Sequence, residues 1–263
     1  MSATAASVLP VQSEGQRDAI GPGRHGLVGQ LLSGALATLT TTGHPPVVLD
    51  CGGGSGSFAV PLARAGAMVT VIDISADALA TLTRRAAEAG AADGVTPIQG
   101  DVEALADVIQ PGTFDLALAH GIFEAVDHPA MAFAEVAAAV RPGGLLSVLV
   151  SNPVAGVLAR ALAGDLAAAL RELHQLDVTG SRADARGEAR LGPAAVQRLC
   201  CEHGFTIEEV HGIAVFADLV PGAALDAPGA RDALAALETA CATRSPFAEI
   251  AGRVHVLARR PAG

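Results

Sequence analysis

Residues 47–56 read Val-Val-Leu-Asp-Cys-Gly-Gly-Gly-Ser-Gly, an apolar run that ends in an acid and breaks into glycines. An apolar run of this length predicts a buried parallel strand, and the glycines permit a tight turn that side chains would obstruct. Helical spacing begins at once, at Ser57, so the turn leads into a helix N-terminus. In a doubly wound α/β sheet, an anionic or nucleoside-bearing cofactor binds at such a turn.

Length and composition predict one large α/β domain in the cytoplasm. The chain has 263 residues, of which 51% are hydrophobic, enough for a sizeable core. No apolar run approaches ~18 residues and no basic-then-apolar leader opens the chain, so we expect no membrane association. The cysteines lack metal-ligand spacing, which predicts no metal site and free thiols in a reducing compartment. They are Cys51, Cys200, Cys201 and Cys241.

The charge of the chain is strongly acidic. Its net charge is −10, and all 17 basic residues are arginine. A globally acidic surface argues against non-specific affinity for nucleic acid, although a local arginine patch stays possible. Arg182, Arg186 and Arg190 recur every four residues, which on a helix would make one basic stripe. Such a stripe is either a solvated face or a contact for an anionic acceptor.

Strand and helix patterns alternate along the first 150 residues. Residues 1–23 predict a flexible N-terminal arm, and one domain follows over residues 24–263, beginning with a helix over 24–39. The alternation predicts a mainly parallel sheet with helices on both faces. The predicted strands are 47–51, 68–73, 95–99, 114–119 and 145–150, and the predicted helices are 57–65, 76–89, 103–109 and 129–140.

The alternation of strand and helix patterns ends after residue 150. We predict a helical insertion over residues 153–203 on the acceptor side of the domain, because the segment is rich in Ala and Leu. Two closing strands are predicted at 205–216 and 253–259, separated by a helix at 231–243.

An acid precedes the glycine turn, and a serine follows it. An acid-x-Gly-x-Gly-x-Gly pattern begins at Asp50. The dinucleotide fingerprint requires glycine where this chain has Ser57, which weighs against a nicotinamide cofactor. The predicted turn is lined by Gly52, Gly53, Gly54 and Gly56.

Two more acids end the next two predicted strands. Asp73 closes the second strand, where a carboxylate can accept both ribose hydroxyls of a bound adenosine. Asp101 follows the third strand, where it can accept from an adenine amino group. Each acid alone could cap a helix. Three acids at successive strand ends behind a glycine turn favour a nucleoside-bearing cofactor.

These motifs, with Arg141-Pro142-Gly143-Gly144 before the fifth strand, resemble the class I S-adenosylmethionine-dependent methyltransferases. The resemblance implies a doubly wound, Rossmann-like seven-stranded sheet, mostly parallel, with an antiparallel last strand. It also implies S-adenosyl-L-methionine as the cofactor and a methyl transfer as the reaction.

A closer resemblance is to the bacterial transfer-RNA 5-carboxymethoxyuridine methyltransferase family. It rests on residues 48–56, on Ala119-His120-Gly121-Ile122-Phe123-Glu124, and on tail segments such as Ser245-Pro246-Phe247 and Arg253-Val254-His255-Val256. The resemblance implies a carboxylate on a modified wobble uridine as the acceptor. It implies donor contacts from Arg24, Gly52, Gly53, Asp73, Asp101, Val102 and His120.

Two departures from that family leave the acceptor open between a small metabolite and transfer RNA. The family's lysine-rich insertion is here a mixed segment over residues 182–190, and its entrance aromatics, which would stack on an unpaired base, are missing. The oligomeric state is not predicted.

The sequence leaves the catalytic residues unassigned. A carboxylate acceptor is ionised at pH 7 and needs no general base, whereas a hydroxyl or amine acceptor does. His120 and Glu124 are weak candidates for that base, and His174, His203, His211 and His255 are interpreted as structural. Two alternatives remain, a non-catalytic protein that binds S-adenosylmethionine and, less favoured, a nicotinamide-dependent oxidoreductase.

Overall fold

A seven-stranded sheet forms the centre of the fold. The computed structural model describes residues 26–40, 44–176 and 191–263, so the arm predicted over residues 1–23 lies outside them. In chain order the strands are β1 (Val47–Cys51), β2 (Met68–Asp73), β3 (Val95–Gln99), β4 (Phe114–His120), β5 (Val140–Ser151), β6 (Thr206–Ile213) and β7 (Arg253–Arg259).

The strand order explains where a ligand can enter. The strands lie in the order β3-β2-β1-β4-β5-β7-β6, and β7 alone runs antiparallel to its neighbours. The order reverses between β1 and β4, which opens a crevice at their carboxyl ends. The predicted mostly parallel sheet with an antiparallel last strand is confirmed.

Helices cover both faces of the sheet, because neighbouring residues of a buried strand point to opposite sides. Val48 packs with Val28 and Leu32 in one cluster, and Leu49 packs with Phe133 in the other. The helices are α1 (Gly26–Leu39), α2 (Ala59–Arg64), α3 (Ala76–Glu88), α4 (Pro129–Ala139), α5 (Pro153–Leu162), α6 (Leu166–Gln175), α7 (Pro193–Glu202) and α8 (Ala230–Cys241).

The segment predicted as a helical insertion begins with a helix pair. Asn152 caps α5 by accepting from the backbone N–H of Val154 at 3.2 Å. Its Nδ2 also donates to the carbonyls of Glu249 and Ala251, which ties the pair to the start of β7. Arg160 of α5 forms an ion pair with the buried Glu172 of α6. The pair is therefore anchored at the carboxyl end of β5.

One predicted helix is wrong in type. In place of an α-helix over residues 103–109, Val102–Asp107 forms 3-10 turns with Ala104 outside helical geometry, at φ −137° and ψ 45°. A side chain takes the N–H of Ala106, which a regular helix would bond to its own backbone, and Asp101 caps the first turn. Glu135 accepts from the N–H of Ala106 at 2.9 Å, and Asp101 accepts from the N–H of Glu103. Within the described ranges, no helix is long and apolar enough to cross a membrane.

Candidate functional site

The glycine turn lies directly over the carboxyl group of Asp50. A Cβ atom on Gly53 would lie 2.5 Å from Asp50 Oδ2 and 2.8 Å from a methyl carbon of Val71. Neither neighbour is the far end of a flexible side chain, so only glycine fits there. The turn thus brings the backbone of residues 52–56 against the acid that ends the apolar run.

Asp73 fixes the open side of the same turn. Its Oδ2 accepts a hydrogen bond from the backbone N–H of Gly54 at 2.9 Å, and its Oδ1 accepts from the N–H of Ser75 at 2.8 Å. The two oxygens connect the turn after β1 with the start of α3. The structure therefore brings together Gly54 and Asp73, which lie 19 positions apart in the sequence.

Helix α3 supports the turn from the other side. Arg85 Nη1 donates to the backbone carbonyl of Ser55 at 2.8 Å and contacts its hydroxyl at 3.1 Å. Leu82, one turn earlier, occupies the space that a side chain on Gly56 would need. Sequence reasoning missed Arg85, because an arginine in the last turn of an amphipathic helix looks like an ordinary surface residue.

Asp50 is a buried acid with an unsatisfied oxygen. Its side chain is 2% exposed, and Oδ2 has no hydrogen-bond partner. Burial, and secondarily the charge of Asp73, raises the pKa of Asp50 to about 7. An unsatisfied buried polar atom is costly without a partner. Its position beneath an open glycine turn suits a ligand that brings positive charge or hydrogen-bond donors.

The third acid lies at the same edge of the sheet. β2 and β3 are parallel, with Asp73 opposite Gln99, so residues 100–102 follow at the level of the glycine turn. Asp101 is exposed, and its Oδ1 accepts from the N–H of Glu103 at 2.9 Å. Val102 is buried. The acid is therefore held by its own turn with its carboxylate open to solvent.

The end of β4 closes the site. His120 makes an edge-on contact with Phe58 at 4.8 Å between ring centroids, and its Nε2 lies 2.8 Å from Ser147 Oγ. The following turn packs against the glycine turn, because Ile122 Cδ1 lies 2.7 Å from where a Cβ on Gly52 would stand. His120 thus lies beside the turn, and its contact with the donor stays a prediction.

Glu124, the other weak catalytic candidate, is engaged by the backbone. Its Oε1 accepts from the N–H of Ser151 at 2.6 Å. This bond joins the turn after β4 to the end of β5. The contact shows a connecting role and leaves the second carboxylate oxygen for other chemistry.

A buried glutamate organises the loop after β6. Glu238 of α8 accepts from three consecutive backbone N–H groups, those of Val215, Phe216 and Ala217, at 2.7–2.8 Å. Because β6 runs parallel to β5, this loop lies at the same edge as the glycine turn. The sequence analysis assigned Glu238 no role.

The acids at this edge have no ion-pair partner among the described residues, although the guanidinium of Arg85 lies on the glycine turn itself. None of the ion pairs there includes Asp50, Asp73, Asp101 or Glu124. The same part of the chain holds no group of His, Cys, Asp or Glu arranged for a metal ion. Arg24, predicted as a donor contact, and the predicted stripe of Arg182, Arg186 and Arg190 lie outside the described residues.

Known proteins match this chain either over most of its length or over less than half of it. A family model described as a methyltransferase domain matches residues 48–144. The tRNA 5-carboxymethoxyuridine methyltransferase of Escherichia coli K12 is 27% identical over 223 residues, which cover 81% of this chain and 80% of that protein. The ubiquinone biosynthesis O-methyltransferase of Albidiferax ferrireducens is 40% identical, but over 118 residues that cover 43% and 44% of the two chains.

Solved structures share the fold at low sequence identity. The [4+2]-cyclase SpnF superposes with a TM-score of 0.56 at 23% identity, covering 89% of this chain and 82% of that one. Magnesium protoporphyrin IX methyltransferase from Synechocystis PCC 6803, solved with bound SAH, superposes with a TM-score of 0.52 at 18% identity, covering 89% and 83%. These neighbours show the architecture alone.

Proposed function

We propose that this chain, which is a class I S-adenosylmethionine-dependent methyltransferase, methylates a small acceptor that is neutral or cationic. The observation that carries the proposal is the charge at the carboxyl edge of the sheet. There, a glycine turn that can hold the donor lies beside Asp73, Asp101 and Glu124, none of which has an ion-pair partner among the described residues.

The residues around the glycine turn fit S-adenosylmethionine. Its sulfonium and ammonium groups are cationic, and Asp50 offers a buried oxygen without a partner. Gly53 lets the turn lie close over Asp50, because a side chain there would collide with Asp50 and Val71. Asp73 and Asp101 supply carboxylates for the ribose hydroxyls and the adenine amino group. When bound, this cofactor supplies an electrophilic methyl group.

The chain's own contribution to the transfer is mainly positioning. Methyl transfer from a sulfonium is an in-line displacement, and fixing two reactants in such geometry can give effective molarities of ~10⁵ M or more. The turn is fixed on three sides, by Asp73, by Arg85 and by the packing of Ile122. A turn fixed in this way holds the donor at a constant distance from the acceptor side.

The acidic edge disfavours a polyanionic acceptor. Charges in a cleft with low-dielectric walls raise the local concentration of ligands of opposite sign and lower that of ligands of the same sign. Tight binding of nucleic acid requires the neutralisation of several phosphates by Lys or Arg. The edge supports a hydroxyl or amine acceptor, for which His120 and Glu124 are the candidate bases.

A second candidate function is methylation of the carboxylate of a modified transfer-RNA wobble uridine. It is favoured by the extent of the match to the Escherichia coli enzyme of that activity, which covers 81% of this chain and so includes the acceptor half. The match to the ubiquinone biosynthesis enzyme covers 43%.

A third candidate is a donor-binding protein that does not transfer a methyl group. It is favoured by SpnF, whose name is that of a cyclase and which has this fold. Fold alone does not imply the reaction. Turnover decides between this candidate and the first two.

The cytoplasm is the proposed location of the protein. All four cysteines are free, and three of them are buried in the fold. Free thiols persist in a reducing compartment, which supports this location.

The test is binding followed by turnover. Calorimetry with S-adenosylhomocysteine and with NAD should show binding of the former only, and binding of NAD alone would overturn the donor assignment. Labelled S-adenosylmethionine should then transfer label to the small-molecule fraction of a cell extract. Transfer to RNA alone would favour the second candidate, and no transfer to either fraction would favour the third.

A further inference from the structure

Two phenylalanines are not buried in the core, and they contact each other. All seven Phe lie within the described residues, and the chain has no Trp or Tyr. The rings of Phe216 and Phe247, here called the Phe pair, have centroids 5.9 Å apart and an angle of 52° between their planes. Phe247 is 37% exposed, and Phe216 is partly buried. The other five are buried, and they are Phe58, Phe114, Phe123, Phe133 and Phe205.

The Phe pair lies at the carboxyl edge of the sheet, the edge that also carries the glycine turn. Phe216 follows β6, whose last residue, Ile213, pairs with Arg253, the first residue of β7. Ser151, the last residue of β5, pairs with the same Arg253. Phe247 belongs to the segment that leads into β7. The end of β5, the loop after β6 and the segment before β7 therefore meet at one edge.

Hydrogen bonds connect the Phe pair to Glu124, one of the candidate bases. Glu124 accepts from the N–H of Ser151, and the next residue, Asn152, donates through Nδ2 to the carbonyl of Glu249 at 2.8 Å. Phe247 precedes Glu249 in the same short segment. The Phe pair is therefore continuous with the acceptor side of the domain.

The backbone that carries Phe216 is held in place by the protein itself. The carboxylate of Glu238 accepts from three consecutive N–H groups that begin at Val215. Ala214 has a φ of +58°, a conformation that a residue with a side chain rarely adopts. Its carbonyl accepts from the N–H of Gly252 at 3.1 Å. Such a backbone persists only where its surroundings fix it, and such residues cluster at ligand-binding places.

Exposed aromatic rings on a fixed loop suit a planar apolar ligand. Covering them removes apolar area from water, and offset or edge-on contacts between rings add to that gain. The side chains of the Phe pair offer no charge and no hydrogen-bond donor. Glu124, at the same edge, has no ion-pair partner among the described residues, which disfavours a ligand with negative charge.

We propose that the Phe pair binds the body of the methyl acceptor, and that this body is a planar aromatic ring without negative charge. The ring bears the hydroxyl or amine that receives the methyl group. This inference rests on the proposed function, because it names the substrate class of the same site. The binding of a ring at the Phe pair can be measured without turnover.

Three neutral probes test the class of ligand. 2-Naphthol is a planar ring system with one hydroxyl, decahydro-2-naphthol is its saturated counterpart, and uridine carries a nucleobase. Calorimetry should give the lowest Kd for 2-naphthol, because it alone combines a large apolar area with ring contacts. Equal affinity for the saturated probe would overturn the aromatic site. Tightest binding of uridine would assign the Phe pair to a nucleobase and contradict the proposal.

The small number of aromatic residues makes the location measurable. In protein labelled only at Phe, nuclear Overhauser effects from the protons of 2-naphthol should reach the rings of Phe216 and Phe247. The two variants that lack these rings assign the signals. Effects on neither ring would overturn the proposal.

Phe216→Leu and Phe247→Leu keep an apolar side chain and remove the ring. Each should raise the Kd for 2-naphthol about two- to tenfold, as expected for the loss of one aromatic contact, and leave the Kd for S-adenosylhomocysteine unchanged. Leu170→Ala is the matched control, because Leu170 is a 53% exposed apolar side chain on α6. An equal loss in this control, or no loss in either Phe variant, would contradict the proposal.

Failure of this inference is distinguishable from failure of the proposed function. If the wild-type chain binds 2-naphthol at the Phe pair but does not bind S-adenosylhomocysteine, the proposed function fails and the ring site holds. If it binds S-adenosylhomocysteine but not 2-naphthol, the ring site fails alone. The labelled small-molecule product from a cell extract should contain an aromatic ring by mass spectrometry, and a product without one would overturn the inference.

Discussion

The carboxylate of Asp73 accepts a hydrogen bond from the backbone N–H of Gly54 at 2.9 Å, which joins the end of β2 to the turn after β1. The contact means that one acid does two tasks. It shapes the turn before any ligand arrives, and it stands at the strand end where a nucleoside hydroxyl is expected. A site shaped in advance loses less conformational entropy on binding.

Replacement of Asp73 by Asn should weaken donor binding. The amide keeps one acceptor oxygen, so it cannot serve both Gly54 and Ser75, and it removes the charge from the remaining bond. Charge-assisted hydrogen bonds contribute about 1.5–3 kcal/mol, so we expect the Kd for S-adenosylhomocysteine to rise ~10- to 100-fold. Calorimetry measures this. Asp77→Asn, an exposed acid in the first turn of α3, is the matched control; equal affinities for the two variants would contradict the role of Asp73.

A methyl group on Gly53 should disrupt the site. The added carbon would collide with Asp50 and Val71, and overpacking of this kind typically costs about 1–3 kcal/mol. We expect Gly53→Ala to lower the unfolding midpoint in urea and to raise the donor Kd by at least about tenfold. Gly34→Ala is the control, because nothing lies within 4 Å of a Cβ there. It sits inside α1, where Ala is favoured over Gly, so its stability should not fall. Normal donor affinity in Gly53→Ala would show that donor binding does not depend on the close approach of this turn to Asp50.

Asp50 should make the fold less stable as the pH rises. The pKa of Asp50 is about 7 in the fold and 3.8 as a free side chain, so the folded chain binds the extra proton between these values. The contribution of this proton on Asp50 to the free energy of unfolding is therefore complete at acid pH and is lost as the pH rises from about 4 to about 7. Asp50→Asn removes the titration, so its free energy of unfolding relative to the wild type should increase over that window. Urea unfolding at pH 5 and pH 8 measures the change, and a difference independent of pH would contradict it.

His255 should have the opposite effect. The pKa of His255 in the fold lies well below 6.5. Just below pH 6.5 the unfolded chain therefore binds a proton at this residue that the folded chain does not bind. Stability from this group is complete above the unfolded pKa and falls as the pH drops below about 6.5, by at most about 1.4 kcal/mol per pH unit. His255→Leu should be less stable than the wild type at pH 8, where it lacks the hydrogen bond between His255 Nε2 and Ser147 Oγ. The deficit should shrink at pH 5. A deficit that grows on acidification would mean that His255 is charged in the fold.

Much of the fold follows from local sequence pattern. The bounds of β1, β2, β3 and β7 agree with the predicted ones. In β1, β2 and β7 a mostly apolar run specifies a buried strand with little tertiary help, whereas no residue of β3 is buried, because β3 lies at the edge of the sheet. β5 begins earlier than predicted, at Val140, which pairs with Phe114 of the neighbouring strand. The Pro-Gly-Gly segment that follows has the composition of a turn, and local turn chemistry cannot distinguish a turn from an irregular start of a strand.

The convergence of the acids at the glycine turn was predictable for a related reason. Parallel strands place their carboxyl ends at one edge, so acids at successive strand ends must converge. The hydrogen bonds of Ser147 Oγ with His120 Nε2 and His255 Nε2 were not predictable in this way. They join residues 27 and 108 positions apart, across strands whose register is set only by the assembled sheet. His255 alternates with Val254 and Val256 like any strand residue, so its pattern indicates only a structural residue.

The most direct test of the claim that the acceptor is a small molecule is to identify which molecules receive the methyl group. Purified chain is incubated with methyl-labelled S-adenosylmethionine and an extract of a strain that lacks the protein, and the extract is then divided into RNA and small-molecule fractions. The acidic edge predicts label in the small-molecule fraction, none in transfer RNA, and loss of the label with Asp73→Asn. Label confined to transfer RNA, with an unlabelled small-molecule fraction, would contradict the account.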